Sequence, residues 1–186
     1  MSTVKNQTEL SGMLGESVSV RKLNGRVVLT NRPKRRMLNS TDKQTAVREK
    51  FLEASQYANR QMQLEDARAL YAEGITKRKA SAYVVALCDY LTAPVVKSID
   101  TLSYRGAIGD KLVIKAVDDF KVTKVKIVIT NAAGAIIEEG EAQPDAEKAN
   151  LWEYEARVGN PTLVGTKIQA VAYDRPGNTG TAEIVL

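Results

Sequence analysis

The sequence predicts an α+β protein: a basic β-hairpin and short helices over residues 1–94, followed by an all-β sandwich over 95–186. Three observations carry this. Asn24-Gly25 lies between two short alternating apolar runs, the pattern of a tight hairpin. Behind Thr41, apolar residues recur at spacings of three and four, the period of a helix face. From residue 95 onward the chain reads as about seven short alternating stretches with turn signals between them, the spacing of a β-sandwich.

The first residues, "MSTVKNQTELSGMLGES", lack an apolar run of leader type, and their "GMLGES" stretch reads as a flexible start. In "ESVSVRKLNGRVVLTNRPKRR", Val18 and Val20 alternate with polar neighbours and Val27–Leu29 resume after the turn. Pro33 cannot sit inside a central strand, so "RPKRR" is expected as a loop or extended arm. "TDKQ" fits a capping box, with Thr41 as N-cap and Gln44 three residues on. Val47, Phe51, Ala54, Ala58 and Met62 then form one apolar stripe. A second helix is expected over Leu64–Glu73, stopped by Gly74 as a C-cap, and a third over about Ala80–Leu91, ending before Pro94. A hairpin and three short helices make a thin core. This half is therefore expected to lean on the C-terminal half or on another subunit.

The strands follow as "VKSIDTLSY", "KLVIKAVDD", "KVTKVKIVITNAAG", "AIIEEGEAQ", "LWEYEARV", "TKIQAVAYD" and "TGTAEIVL". Val125, Ile127 and Ile129 share one face, with Lys124, Lys126 and Thr130 on the other. Trp152 and Tyr154 share a face and are expected to fill the centre of an otherwise aliphatic core. Asp174, Pro176, Gly177 and Asn178 supply the turn of a last hairpin.

Composition removes several chemistries. The chain has 186 residues, no histidine and one cysteine, Cys88. Neither an intrachain disulfide nor a Ser-His or Cys-His pair can form, and a zinc site is close to excluded. Cys88, in "VVALCDYL", reads as a small hydrophobe on a buried helix face. No phosphate-binding glycine loop is present. Because no apolar stretch resembles a leader or a membrane span, the expectation is a cytoplasmic chain with no membrane partner.

The carboxylates offer two readings. Asp118, Asp119, Asp174 and Asn178 fall at strand ends, where they can bind calcium or cap turns through their own side chains. No DxDxDG-type loop accompanies them. Glu138, Glu139, Glu141, Glu153 and Glu155 are acid–base candidates by type. Glu153 and Glu155, however, alternate with Trp152 and Tyr154 and read as the wet face of a strand, so no enzyme and no cofactor are expected.

Charge is concentrated at the front. Residues 1–50 hold 11 Lys+Arg against 4 Asp+Glu, whereas 95–186 hold 11 against 13. Arg21, Lys22, Arg26, Arg32, Lys34, Arg35 and Arg36 make a basic arm that can pair with acidic groups of a neighbouring subunit or with phosphates. No aromatic residues interleave with them to stack bases.

The run "AVDDFKVTKVKIVITNAAGAIIEEGEA…WEYEARV…GTKIQAVAYDRPGNTGTAEIVL" resembles a bacterial immunoglobulin-like (Ig-like) domain. The likeness covers about residues 95–186 and departs from antibody-type domains in lacking a cysteine pair. The front, "SGMLGESVSVRKLNGRVVLTNRP…STDKQTAVREKFLEASQYA", is similar to small proteins of gut Bacteroidota and their tailed (crAss-like) phages. That resemblance implies a structural or assembly role in a virion (tail, neck or portal-proximal), assembled in the host cytoplasm. The chain would then dock in a ring-like homo-oligomer and on other virion proteins. The basic arm and the stripe of Val47, Phe51, Ala54 and Ala58 would serve as its contacts, and the Ig-like domain would project. The alternative is a nucleic-acid-binding protein that uses the arm on phosphates.

Overall fold

The computed structural model describes residues 12–14, 18–23, 26–31 and 40–186. Among these, the chain order is β1 (Gly12–Leu14), β2 (Val18–Leu23), β3 (Arg26–Asn31), α1 (Asp42–Gln63), α2 (Glu65–Ala72) and α3 (Ala82–Leu91). Seven strands follow: β4 (Val95–Asp100), β5 (Lys111–Val117), β6 (Lys124–Thr130), β7 (Ile136–Pro144), β8 (Leu151–Glu155), β9 (Lys167–Tyr173) and β10 (Thr179–Val185).

The chain divides after Thr41. In the first unit, β2 and β3 pair antiparallel with Leu23 opposite Arg26, the register of a two-residue connection. The Asn24-Gly25 turn itself lies outside the described residues. Gly12–Leu14, expected as part of a flexible start, instead pairs with Val18–Val20 and extends the hairpin to three strands. Val27, Val28 and Leu29 are exposed, so successive residues on both faces of β3 leave apolar surface in water.

The second unit runs from Asp42 to Leu186, so the helices belong with the β-domain, whereas the sequence reading drew its boundary at 94/95. Helix α1 starts directly after Thr41, as the capping box predicts. Ser81 caps α3 by accepting from the Val84 amide at 3.3 Å. Gly74 does not act as a left-handed cap, since its φ is not positive. A Cβ there would stand 2.8 Å from Val85 Cγ1 and 2.9 Å from the Phe120 ring, so glycine is required by the close approach of α2's end to its neighbours. Tyr57, Ala58, Tyr71, Val85 and Ala86 form the helical core, with Phe120 from the β-domain packed against it.

The seven strands follow the order β10-β9-β6-β7-β8-β5-β4, all antiparallel. β7 meets β8 through only two paired positions, Gln143–Glu153 and Pro144–Trp152, so the sheet folds there into two faces. Its far edges also converge, because a Cβ on Gly180 of β10 would collide with the carbonyl oxygen of Pro94 at the start of β4. The result is a nearly closed, sandwich-like β-domain. Alternation sets its core as the sequence predicts. Val125, Ile127 and Ile129 of β6 are buried with Leu112, Ile114, Ile168 and Ala170, and Trp152 and Tyr154 cross the centre. Lys126 pairs outside with Glu139 at 3.0 Å. The last hairpin forms as expected, with Thr179 opposite Tyr173.

Replacing Ile127 by alanine should cost about 2–5 kcal/mol in denaturant unfolding, because the cavity opens in a packed core. Ile136→Ala, at an exposed site on the adjacent strand, should stay within about 0.5 kcal/mol. Gly180→Val should destabilise by about 1–3 kcal/mol, since the obstructing atom is backbone and has no rotamer through which to yield. Equal unfolding midpoints for the parent and this variant would show that β10 does not close on β4.

Candidate functional site

The sequence-predicted contact residues belong to two units, the basic arm to the first and the helical stripe to the second. Arg21 and Lys22 lie on β2 opposite Val28 and Val27, and Arg26 begins β3 and is exposed. Arg32, Lys34, Arg35 and Arg36 lie outside the described residues. The helical stripe divides along its length. Ala54 and Ala58 are fully buried beneath α1, within the protein's own core, and are therefore corrected from docking residues to packing residues. Val47 and Phe51, one turn apart, are 69% and 53% exposed, and Leu52 beside them is exposed as well. Residues 42–53 are exposed throughout, and the last of these turns is tied to the end of α3, where Lys50 Nζ donates to the Leu91 carbonyl and the Tyr90 hydroxyl donates to Glu53 Oε2, each at 3.3 Å.

The glutamates take structural positions. Glu153 pairs with Lys111 at 3.0 Å on the outer face, and Glu141 pairs with Lys124 at 3.4 Å. Glu138 turns inward, where it accepts from the Tyr154 hydroxyl at 3.2 Å and the Arg157 amide at 3.0 Å.

The aspartates converge more closely. Asp118 follows β5, Asp174 follows β9, and both cap turns as one of the two sequence readings holds. Asp118 Oδ2 accepts from the Phe120 amide at 3.1 Å. Asp174 Oδ1 accepts from the amides of Gly177 and Asn178 at 2.8 and 2.6 Å. Gly177, with φ of 99°, supplies the left-handed residue that this turn needs. Asp119 instead pairs with Lys79, at 2.5 Å, on the segment that joins α2 to α3.

A third aspartate completes the group. Asp89 of α3 is buried, and one carboxylate oxygen each from Asp89, Asp118 and Asp174 lies within 4.8 Å of the other two. Asp89 Oδ2 accepts from the Tyr71 hydroxyl at 2.6 Å, and the Tyr71 and Tyr57 hydroxyls are 2.8 Å apart. Asn178 Nδ2 reaches across from the last hairpin. It donates to Asp174 Oδ2 at 2.7 Å and to the Tyr90 carbonyl at 3.1 Å, at the C-terminal turn of α3. Burial pushes the Asp89 carboxyl up to about 7, with the charges of Asp118 and Asp174 adding to the shift. Burial likewise raises Asp174 and Tyr71. Among the described residues, no lysine or arginine lies within ion-pair distance of the three carboxylates.

Sequence reasoning missed Asp89 because it sits in the apolar run "VVALCDYL". The inward face of α3 carries Val85, Ala86 and Asp89, while Cys88, expected on the buried face, is half-buried. The available signal was the three- and four-residue spacing from Val85 to Asp89 through Ala86.

No match was found among protein-family models, curated proteins or solved structures. No helix among the described residues is long and apolar enough to cross a membrane.

Tyr71→Phe removes the donor to a fully buried carboxylate oxygen and should cost about 1–3 kcal/mol by chemical unfolding. A loss under about 0.5 kcal/mol would show that Asp89 does not rely on that hydroxyl.

Proposed function

We propose that this protein is a structural assembly component that docks to neighbouring copies and partner proteins through its N-terminal module and the exposed N-terminal turns of α1. The observation that carries this reading is the exposure of Val47, Phe51 and Leu52 on the first three turns of α1. An isolated helix of that length is marginal in water, and an aromatic side chain on it is a natural interface anchor. The exposed Val27, Val28 and Leu29 of β3 add a second apolar surface in the other unit. A three-stranded sheet so lightly covered gains stability by association.

The β-domain is the projecting part, and its Ig-like reading is supported by strand order. β4-β5-β8 on one face and β10-β9-β6-β7 on the other, with the non-consecutive pairs β5–β8 and β6–β9, follow the Greek-key pairing of Ig-type sandwiches. The virion setting, in a tail, neck or portal-proximal part, rests on the resemblance of the N-terminal pattern. A ring-like homo-oligomer is the simplest assembly in which one docking face repeats. The chain performs no catalysis in this reading. A second reading, binding of nucleic acid through the basic arm, is favoured by the charge of residues 1–50, with 11 Lys+Arg against 4 Asp+Glu.

Light-scattering chromatography of the full chain, at low and high salt and with or without duplex DNA, separates the two. The assembly reading expects a defined multimer indifferent to DNA. It also expects the double variant Val47→Glu/Phe51→Glu to run as a monomer with unfolding free energy within about 1 kcal/mol of the parent. A parent that is monomeric at every concentration, or a multimer untouched by the double variant, overturns docking through α1. A monomer that shifts onto DNA and releases as salt rises transfers the function to the arm.

A further inference from the structure

We propose that Asp89, Asp118 and Asp174 bind one hard divalent cation, of the calcium class, which ties the end of α3 to the β5–β6 and β9–β10 connections. Three carboxylates from three separate elements meet here, each with an oxygen within 4.8 Å of the others. Ligands around one ion at calcium–oxygen distances of about 2.3–2.6 Å are separated by up to about twice that distance, so this spread fits one shared centre.

The second observation is independent of the clustering. Asp89 is 0% exposed and faces the other two carboxyls, yet its Oδ1 has no hydrogen-bond donor. Asp118 Oδ1 is likewise buried and unpartnered. Buried carboxylate oxygens are ordinarily satisfied, because an unmade bond retains its full desolvation cost. Both residues already use their other oxygen, Asp89 on the Tyr71 hydroxyl and Asp118 on the Phe120 amide. The fold thus holds two unpartnered oxygens on carboxylates that each bring an oxygen within 4.8 Å of one on Asp174.

A cation supplies charge compensation that no ion pair provides: among the described residues the three acids pair with no lysine or arginine, and the Arg175 guanidinium is placed instead over the Tyr71 ring, 5.8 Å from its centroid. Donor chemistry sets its class. All three side chains offer hard oxygen, and the chain has no histidine, so a soft or borderline metal has little to hold. Calcium also accepts irregular ligand geometry and water in its remaining positions, and the half-buried Asp118 leaves an approach for both.

The test uses the purified full chain, stripped with chelator and titrated with CaCl2 or MgCl2 by calorimetry, with thermal unfolding in parallel. One calcium per chain is expected. With calcium about 100-fold above its Kd, the midpoint should rise by roughly 5–10 °C. Asp89→Asn and Asp118→Asn should each lose the binding heat and the thermal rise, whereas Asp145→Asn, in an exposed loop, should keep both. In chelator, Asp118→Asn should melt no lower than the parent, because one of three like charges has gone. That comparison separates a lost ligand from a lost fold. Absence of heat and of any midpoint shift in the parent overturns the proposal, leaving Asp89 to share a proton with Asp118. A calcium response of full size in Asp118→Asn overturns it equally. Magnesium binding as tight as calcium overturns the calcium assignment.

Discussion

A fully buried carboxylate, Asp89, is the constraint around which the helical layer and the β-domain are joined. It cannot be withdrawn to solvent without moving α3, so the surrounding elements are arranged to accommodate it. Tyr71 of α2 donates to it, Tyr57 of α1 extends the chain of hydroxyls, and Asn178 of the last hairpin holds the carbonyl of the next residue. Phe120, beyond β5, stacks on Tyr71 with ring centroids 4.8 Å apart. A polar centre of this kind specifies one arrangement, because any slip of α3 leaves donors and acceptors unmatched in a low-dielectric site. The cost is charge repulsion among Asp89, Asp118 and Asp174, which is why the same centre suits a cation.

The β-domain solves a different problem. With few aromatic residues, it fills its interior with Val, Ile, Leu and Ala in strict alternation and reserves Trp152 and Tyr154 for the middle. Small residues then permit close approach: Gly140 lies under the Tyr154 ring, and Gly180 lies against the Pro94 backbone. Outer-face ion pairs such as Lys126–Glu139 are exposed and contribute little to stability. Stability therefore rests on the packed centre, while the N-terminal turns of α1 and, in the other unit, β3 carry exposed apolar residues.

Strand and helix positions were legible because they depend on local period and turn chemistry. The alternation of "KVKIVIT" placed Val125, Ile127 and Ile129 inward, and Asp174 to Asn178 marked the last turn. Two readings failed where packing overrides local pattern. The stripe from Val47 to Ala58 looked like one docking face, yet α3 covers only its second half, so Ala54 and Ala58 became core. Gly74 looked like a cap, yet it is glycine because Val85 and Phe120 press on it.

By itself, the sequence determined the α+β class, the seven strands, the shared faces of Val125, Ile127 and Ile129 and of Trp152 and Tyr154, the basic front and the absence of histidine chemistry. Each of these is written in residues a few positions apart. Tertiary structure alone decided that the helices join the β-domain, and that Asp89, Asp118 and Asp174 meet. These three lie 29 and 56 residues apart along the chain, on a helix and two strand ends. No local period encodes such a meeting, because it is set by which faces of α3 and the β-domain bury each other.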